Sequence, residues 1–280
     1  MDALALDVQR IAAFSDGDAG GNPAGVVLCD ALPPAGQMQR VAAEVGFSET
    51  AFVAKSDGGW RVRYFSPAAE VPFCGHATLA LGAALAWRHG DGRFPLELSR
   101  ATITVEARRA GALMNATLES PPTRSAPAPQ DVVDPALELF GYTRADLDPR
   151  FVPANIHGGA DHLLLMLNSR AALAAMRYDF DAGRALMQRE GWVTVLLGWA
   201  ESGKRFHTRN AFAYGGVLED PATGAATAAF AGRLVDIGWP DAGPIEVVQG
   251  EDMGSRSLLR AELPARSGDP VRVSGSVRRM

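Results

Sequence analysis

The sequence predicts a fold of mixed helices and strands, α/β or α+β, built as two similar halves around a central cleft. Three observations carry that expectation. The pattern E-x-P-x-x-G-x-A-T occurs twice, as Glu70-Val-Pro72-Phe-Cys-Gly75-His-Ala77-Thr78 and as Glu219-Asp-Pro221-Ala-Thr-Gly224-Ala-Ala226-Thr227, spaced by about half the chain. An apolar, Ala-rich run follows each copy, at 79–87 and 228–237. Elsewhere short strand-like and helix-like runs alternate, broken once by the Pro-rich stretch 120–129. A chain rich in Ala and Gly produces short matches by accident, so it is the matched context and spacing that give the repeat its weight.

In chain order, 7–14 and 24–29 read as strands on either side of the turn-rich Ser15-Asp-Gly-Asp-Ala-Gly-Gly-Asn22-Pro23. Residues 35–45 read as a helix and 50–54 as a strand, and after the turn Ser56-Asp-Gly-Gly59 the run 60–65 alternates as the next strand. A loop of Pro and Gly opening into an apolar run marks a helix start at each copy of the pattern. Residues 102–107 and 112–118 form a hairpin around Arg109-Ala-Gly111. Beyond the Pro-rich break, 134–140, 171–176 and 181–190 read as helical, and 162–167, 192–198, 244–249, 257–263 and 271–277 as strands. Residues 206–212 lead into the second copy.

Composition narrows the class. The 280 residues suit one large domain or two ordinary ones, with 47% hydrophobic and 21% charged residues, which are globular values. The 27 basic and 32 acidic residues leave a net charge of −5, which offers no general attraction to nucleic acid or anionic membrane. The two cysteines, Cys29 and Cys74, supply neither a disulfide framework nor metal-ligand spacing, and a reducing cytoplasm is expected. The N-terminal residues lack the basic region and apolar core of an export signal, and the longest apolar stretch, 77–87, is too short to span a bilayer. Nucleotide-binding glycine motifs and metal-ligand clusters are not expected.

Chemistry starts from the helix N-termini. Their unpaired amides and partial positive charge suit an anion, so the chain has two candidate cradles, around 74–77 and 223–226. If they face each other, a small acid is clamped between them. Glu49 stands at a helix-to-strand junction between Ser48 and Thr50, near Phe47 and Phe52. Most loop glutamates are solvated, but one at the edge of an apolar cleft has its pKa raised towards acid/base use. His76, at the first helix start, is either a packing histidine or a neutral ring in reach of proton transfer. Asp220 at the second start reads first as a capping residue. Cys74 is either a buried thiol or, at a helix N-terminus, an activated base.

Six segments occur in the order found in the PhzF family: Gly21-Asn-Pro-Ala-Gly-Val-Val27, Phe47-Ser-Glu-Thr-Ala-Phe-Val53, Tyr64-Phe-Ser-Pro, the two pattern copies, and Gln249-Gly-Glu-Asp-Met-Gly254. The chain resembles that family, which includes the phenazine-biosynthesis isomerase, over essentially its whole length. The resemblance implies the diaminopimelate epimerase-like α+β fold, two pseudo-symmetric halves each with a mixed sheet around a central helix. The expected halves are 1–119 with a returning strand in 265–280, and 120–264.

It also implies a cofactor-independent isomerase, with Glu49 as general acid/base and His76 and Asp220 assisting. Ser48, Cys74, Gly75, Ala77, Thr223, Gly224 and Ala225 would line the substrate, a small carboxylate. No metal, nucleic acid or membrane partner is implied, and the family often forms homodimers. Three segments depart from the family. Gly224-Ala225-Ala226 lacks the serine hydroxyl of Gly-Ser-Ala, Arg209-Asn-Ala-Phe212-Ala replaces R-x-F-x-P, and Gly254-Ser-Arg-Ser257 replaces Gly-Arg-Pro-Ser. Fold therefore transfers further than specificity. Two alternatives stand beside this reading: an epimerase or racemase using Cys74 as one of two bases, disfavoured because Thr223 holds the matching position, and a non-catalytic small-acid binding protein.

Overall fold

A computed structural model describes residues 6–99, 101–241 and 243–280. The N-terminal segment without an export-signal pattern lies, up to residue 5, outside the described residues. Among the described residues no helix is long and apolar enough to cross a membrane. The chain divides into two units, Met1–Leu118 with Ser274–Met280, and Glu119–Val273.

In the first unit, β1 (Gln9–Ser15) and β2 (Asn22–Cys29) form an antiparallel pair. Helix α1 (Ala35–Val45) crosses to β3 (Thr50–Ser56), which runs parallel to β2, and buries Met38 and Ala42 against Val27, Phe52 and Phe65. Gly46, at φ 73°, ends α1 in the left-handed conformation that glycine adopts without strain and turns the chain towards Glu49. Strand β4 (Gly59–Phe65) returns antiparallel to β3, and the two-residue β5 (Glu70–Val71) folds back on it. Then come α2 (Gly75–His89), β6 (Gly92–Glu97) parallel to β4, and the antiparallel run of β7 (Thr102–Ala110) and β8 (Leu113–Glu119).

Helix α2 is apolar on every side, the signature of a helix enclosed by structure rather than laid on a surface. Residues from His76 to Ala86 are all buried, and the helix packs on β1, β2, β3, β6 and β7. Gly82 is needed there, because an added Cβ would lie 2.6 Å from Val105 Cγ2.

The second unit repeats this plan. Strand β9 (Arg124–Pro127) pairs with β10 (Ala154–His157), which pairs antiparallel with β11 (Asp161–Leu167), and helix α3 (Gln130–Phe140) lies between β9 and β10 in sequence. Helices α4 (Arg170–Ala174) and α5 (Phe180–Glu190) lead to β12 (Thr194–Ala200), parallel to β11 as β3 is to β2. Strands β13 (Arg205–Ala211) and β14 (Glu219–Asp220) match β4 and β5, and α6 (Gly224–Asp236) matches α2. Strand β15 (Ile245–Gln249) runs parallel to β13, and β16 (Ser257–Glu262) closes the series antiparallel to it. Helix α6 is buried from Ala226 to Leu234 and packs on β9, β10, β11 and β16. On the sheet's other face α3 and α5 bury Val133, Phe140, Leu186 and Met187 against Leu163, Leu165, Val195 and Leu197.

Finally β17 (Arg272–Arg279) pairs antiparallel with β1, placing Ile11 opposite Arg279. The fold is α+β, with two halves of one topology, each a mixed sheet around a central helix.

Local expectations need correction at three places. The Pro-rich stretch is not a plain break, since β9 lies inside it; as a sheet-edge strand at the end of the β9 to β16 series it tolerates a proline at its end. Helix α3 begins at Gln130 rather than 134 and carries Pro135 internally, held by its buried face of Val133, Ala136, Leu137 and Phe140. Strands β6 and β10 were not anticipated, the first because Pro95 sits in its middle and the second because it is only four residues long.

Candidate active site

In the first unit the loop after α1 and the start of α2 converge. Glu49 precedes β3, where its carbonyl accepts the Gly25 amide at 3.1 Å and so ties the junction to β2. Cys74 is the extended residue before α2, and His76 is in that helix's first turn. The cysteine and histidine are 9% and 7% exposed, and the Glu49 side chain is 15% exposed. The Cys74 thiol donates to Glu49 Oε2 at 3.4 Å, and His76 Nε2 lies 3.4 Å from the same oxygen. Ser48 Oγ is 3.3 Å from His76 Nε2.

Asn22, at the start of β2, completes the cluster. Its side-chain nitrogen is 3.2 Å from His76 Nδ1. An amide NH2 only donates, so in this arrangement Nδ1 is the acceptor and Nε2 the ring nitrogen that faces Glu49 and Ser48. Asn22 was quoted in the sequence only as part of a motif. Its contact spans 54 positions, which no local pattern reveals.

A second chain of bonds shapes the α2 start from behind. Thr78 donates to the Cys74 carbonyl at 2.6 Å, and Tyr64 donates to Thr78 Oγ1 at 2.7 Å. Burial, opposed only in part by the Thr78 bond, pushes the Tyr64 phenol above its ordinary pKa, so it stays protonated.

In the second unit Asp220 ends β14 and Thr223 is the extended residue before α6. Asp220 is 8% exposed and accepts a short hydrogen bond from the hydroxyl of Thr223, the residue at the helix N-cap position. Gln249, fully buried at the end of β15, spans this corner. Its amide donates to the Asp220 carbonyl at 2.7 Å and to Thr223 Oγ1 at 3.0 Å, while its oxygen accepts the Thr223 amide at 3.2 Å. Gly224 and Ala225 open α6 beyond it, as Gly75 and Ala77 occupy the first turn of α2.

The pattern's glutamate has a structural part in both units. Glu70 is gripped by Arg63 of β4 at 2.8 and 2.6 Å, and Glu219 by Arg209 of β13 at 3.0 and 2.6 Å. Each bidentate pair pins the short strand that leads to a cradle. The Arg63 hydrogen bond holds the Glu70 carboxyl below its usual pKa. Arg209 also donates to the carbonyls of Ala174 and Met176, so the buried pair is fully engaged.

Sequence reasoning saw no metal-ligand spacing, yet the fold assembles three donors of different kinds. Ligand atoms of Glu49, Cys74 and His76 all lie within 4.8 Å of one another.

A family model described as phenazine biosynthesis-like protein, PhzC-PhzF, matches residues 11–277. The trans-2,3-dihydro-3-hydroxyanthranilate isomerase of Pseudomonas fluorescens is 34% identical over 272 residues, covering 95% of this chain and 93% of its own. A PhzF-family phenazine biosynthesis protein of Bacillus anthracis matches with a TM-score of 0.85 at 21% identity, covering 98% of this chain and 97% of that one. A hydroxyproline epimerase from Agrobacterium vitis matches at 0.63 and 12% identity, over 98% and 90% of the two chains. These structural likenesses establish the diaminopimelate epimerase-like fold.

Proposed function

Because the chain belongs to the PhzF family and is an isomerase, we propose that it moves a proton between carbons of a small carboxylate by general acid/base catalysis, without a cofactor. The observation that carries this reading is the Glu49 carboxylate oxygen, met by the Cys74 thiol and by His76 Nε2 at 3.4 Å each. Glu49 takes a proton from a carbon beside an activating group and returns it to another. His76, through Nε2, and the Cys74 thiol steady the carboxylate between the two transfers.

First-turn amides of α2, at Gly75 and Ala77, suit the substrate's carboxylate, and Ser48 offers it a hydroxyl. Asp220, with Thr223, Gly224 and Ala225 at the start of α6, is given a part in substrate handling on the family resemblance alone. The Pseudomonas fluorescens relative acts on trans-2,3-dihydro-3-hydroxyanthranilate. Ala225 stands where phenazine-type members have serine, so the reading commits to a small carboxylate of that general kind and not to that compound. A cytoplasmic homodimer belongs to the same reading, on the family resemblance. Thr223 has no thiol to match Cys74, which weighs against a two-cysteine epimerase.

The test is proton exchange. Purified protein is incubated in deuterated water with amino acids and dihydroaromatic acids, and deuterium entry is followed by proton NMR. Glu49→Gln is expected to lower exchange by about 10²- to 10⁴-fold while substrate still binds. Exchange that survives Glu49→Gln and stops with Cys74→Ser overturns the assignment in favour of a cysteine base, and bound compounds that never exchange overturn the enzyme mechanism.

A further inference from the structure

We propose that Glu49, Cys74 and His76 form a reversible binding site for a thiophilic divalent cation, zinc foremost, whose capture arrests proton transfer. The donor set is thiolate, imidazole and carboxylate, the three side-chain classes that zinc takes. With Zn–S near 2.3 Å and Zn–N or Zn–O near 2.0–2.1 Å, a tetrahedral centre holds its donors roughly 3.3–3.6 Å apart. The observed separations are 3.4 Å from Cys74 Sγ to Glu49 Oε2, 3.4 Å from His76 Nε2 to Glu49 Oε2, and 3.9 Å from Sγ to Nε2. The last must shorten, and because Sγ now lies nearer Nδ1, at 3.3 Å, the imidazole must turn until Nε2 is the ring nitrogen that faces the sulfur. Three protein donors leave the fourth position to water.

The proton balance is explicit. The Cys74 thiol releases its proton to solvent as sulfur joins the metal, and the His76 proton passes from Nε2 to Nδ1 so that Nε2 can coordinate. Nδ1–H then needs an acceptor, which Asn22 supplies by turning its amide to present Oδ1. Metal-bound histidines are held in this way by an acceptor on the other ring nitrogen. The bound ion occupies Glu49 Oε2 and His76 Nε2, the atoms assigned above to proton transfer. Arrest therefore rests on the proposed mechanism, whereas the metal site does not. The other thiol, Cys29, is held protonated by burial and by Asp30 and is a poor competitor.

Cobalt(II) titration of the full chain tests the site, because a cobalt–thiolate bond gives a near-ultraviolet charge-transfer band. One equivalent should bind with that band, release a proton, and be displaced by zinc. The band should be lost in Cys74→Ser and kept in Cys29→Ser. Glu49→Gln, on a loop outside the helices and strands, should weaken binding, and Asn22→Asp, a stronger acceptor for Nδ1–H, should tighten it by about 10- to 100-fold. A folded wild-type protein that binds neither ion, or a band that survives Cys74→Ser, overturns the site. Proton exchange undiminished at full zinc occupancy overturns the arrest. Metal binding by a protein that exchanges no substrate proton supports the site while removing the mechanism, which separates the two failures.

Discussion

The Asn22 amide nitrogen stands 3.2 Å from His76 Nδ1 and so decides which ring nitrogen holds the proton. In ¹⁵N spectra at neutral pH, His76 of the wild type should show a protonated Nε2 and a bare Nδ1. In Asn22→Leu both tautomers should appear and kcat should fall more than KM rises. A wild-type spectrum with the proton on Nδ1 would sink the assignment.

Gly75 has open space where a side chain would begin, with nothing within 4 Å of an added Cβ. The protein's own packing therefore does not require glycine at the first position of α2. Gly75→Ala should keep its stability within roughly 1 kcal/mol. Under the proposed mechanism kcat/KM should nonetheless fall, because the methyl group takes space assigned to substrate. Unchanged kinetics would place the substrate elsewhere.

The two arginine–glutamate pairs should respond very differently to loss of the arginine. Arg209 and Glu219 are 11% and 7% exposed, whereas Arg63 and Glu70 are 31% and 39% exposed. Arg209→Leu strands a buried carboxylate and should cost about 3–5 kcal/mol in urea unfolding. Arg63→Leu should cost about 0–1 kcal/mol. Equal losses would show that burial does not set the worth of these pairs.

His162, in β11, donates through Nδ1 to Thr194 Oγ1 at 2.8 Å, and Thr194 donates to Asn210 Oδ1 at 2.9 Å. Burial lowers its pKa from 6.5 to about 3. The unfolded chain therefore takes up a proton that the folded chain refuses. This contribution to stability is complete above about pH 6.5 and is lost as pH falls towards 3, with a slope of at most about 1.4 kcal/mol per pH unit. His162→Gln keeps a donor for Thr194 and should remove that slope. Urea melts at pH 7 and pH 5 check it: equal loss in wild type and variant would exclude His162 as the source.

Legibility in the sequence followed the range of the cause. Helix α1 is found at 35–45 as expected, because its apolar spacing and the glycine that stops it are local. The repeated pattern announced the duplicated topology, since each copy opens a helix that its sheet encloses. Strand β9 was hidden, because a Pro-rich edge strand looks like a linker until its partner β10 is known. Glu49 and His76 were marked by family motifs, but Asn22 and Gln249 act through partners 54 and 26 to 29 positions away. The glutamates that open each copy of the pattern carry no role in the sequence and are anchors for β5 and β14, which only their arginine partners reveal.

Strand β17 pairs with β1, and the Met280 amide reaches the Arg10 carbonyl at 2.9 Å. During synthesis on the ribosome, the unit that carries Glu49, Cys74 and His76 therefore waits for a strand made after the whole of the other unit. The stretch Glu119–Val273 is continuous and can fold as it emerges. The unit translated first is thus the last to be finished, and a nascent chain stalled before β17 leaves both β1 and β8 without that strand's hydrogen bonds.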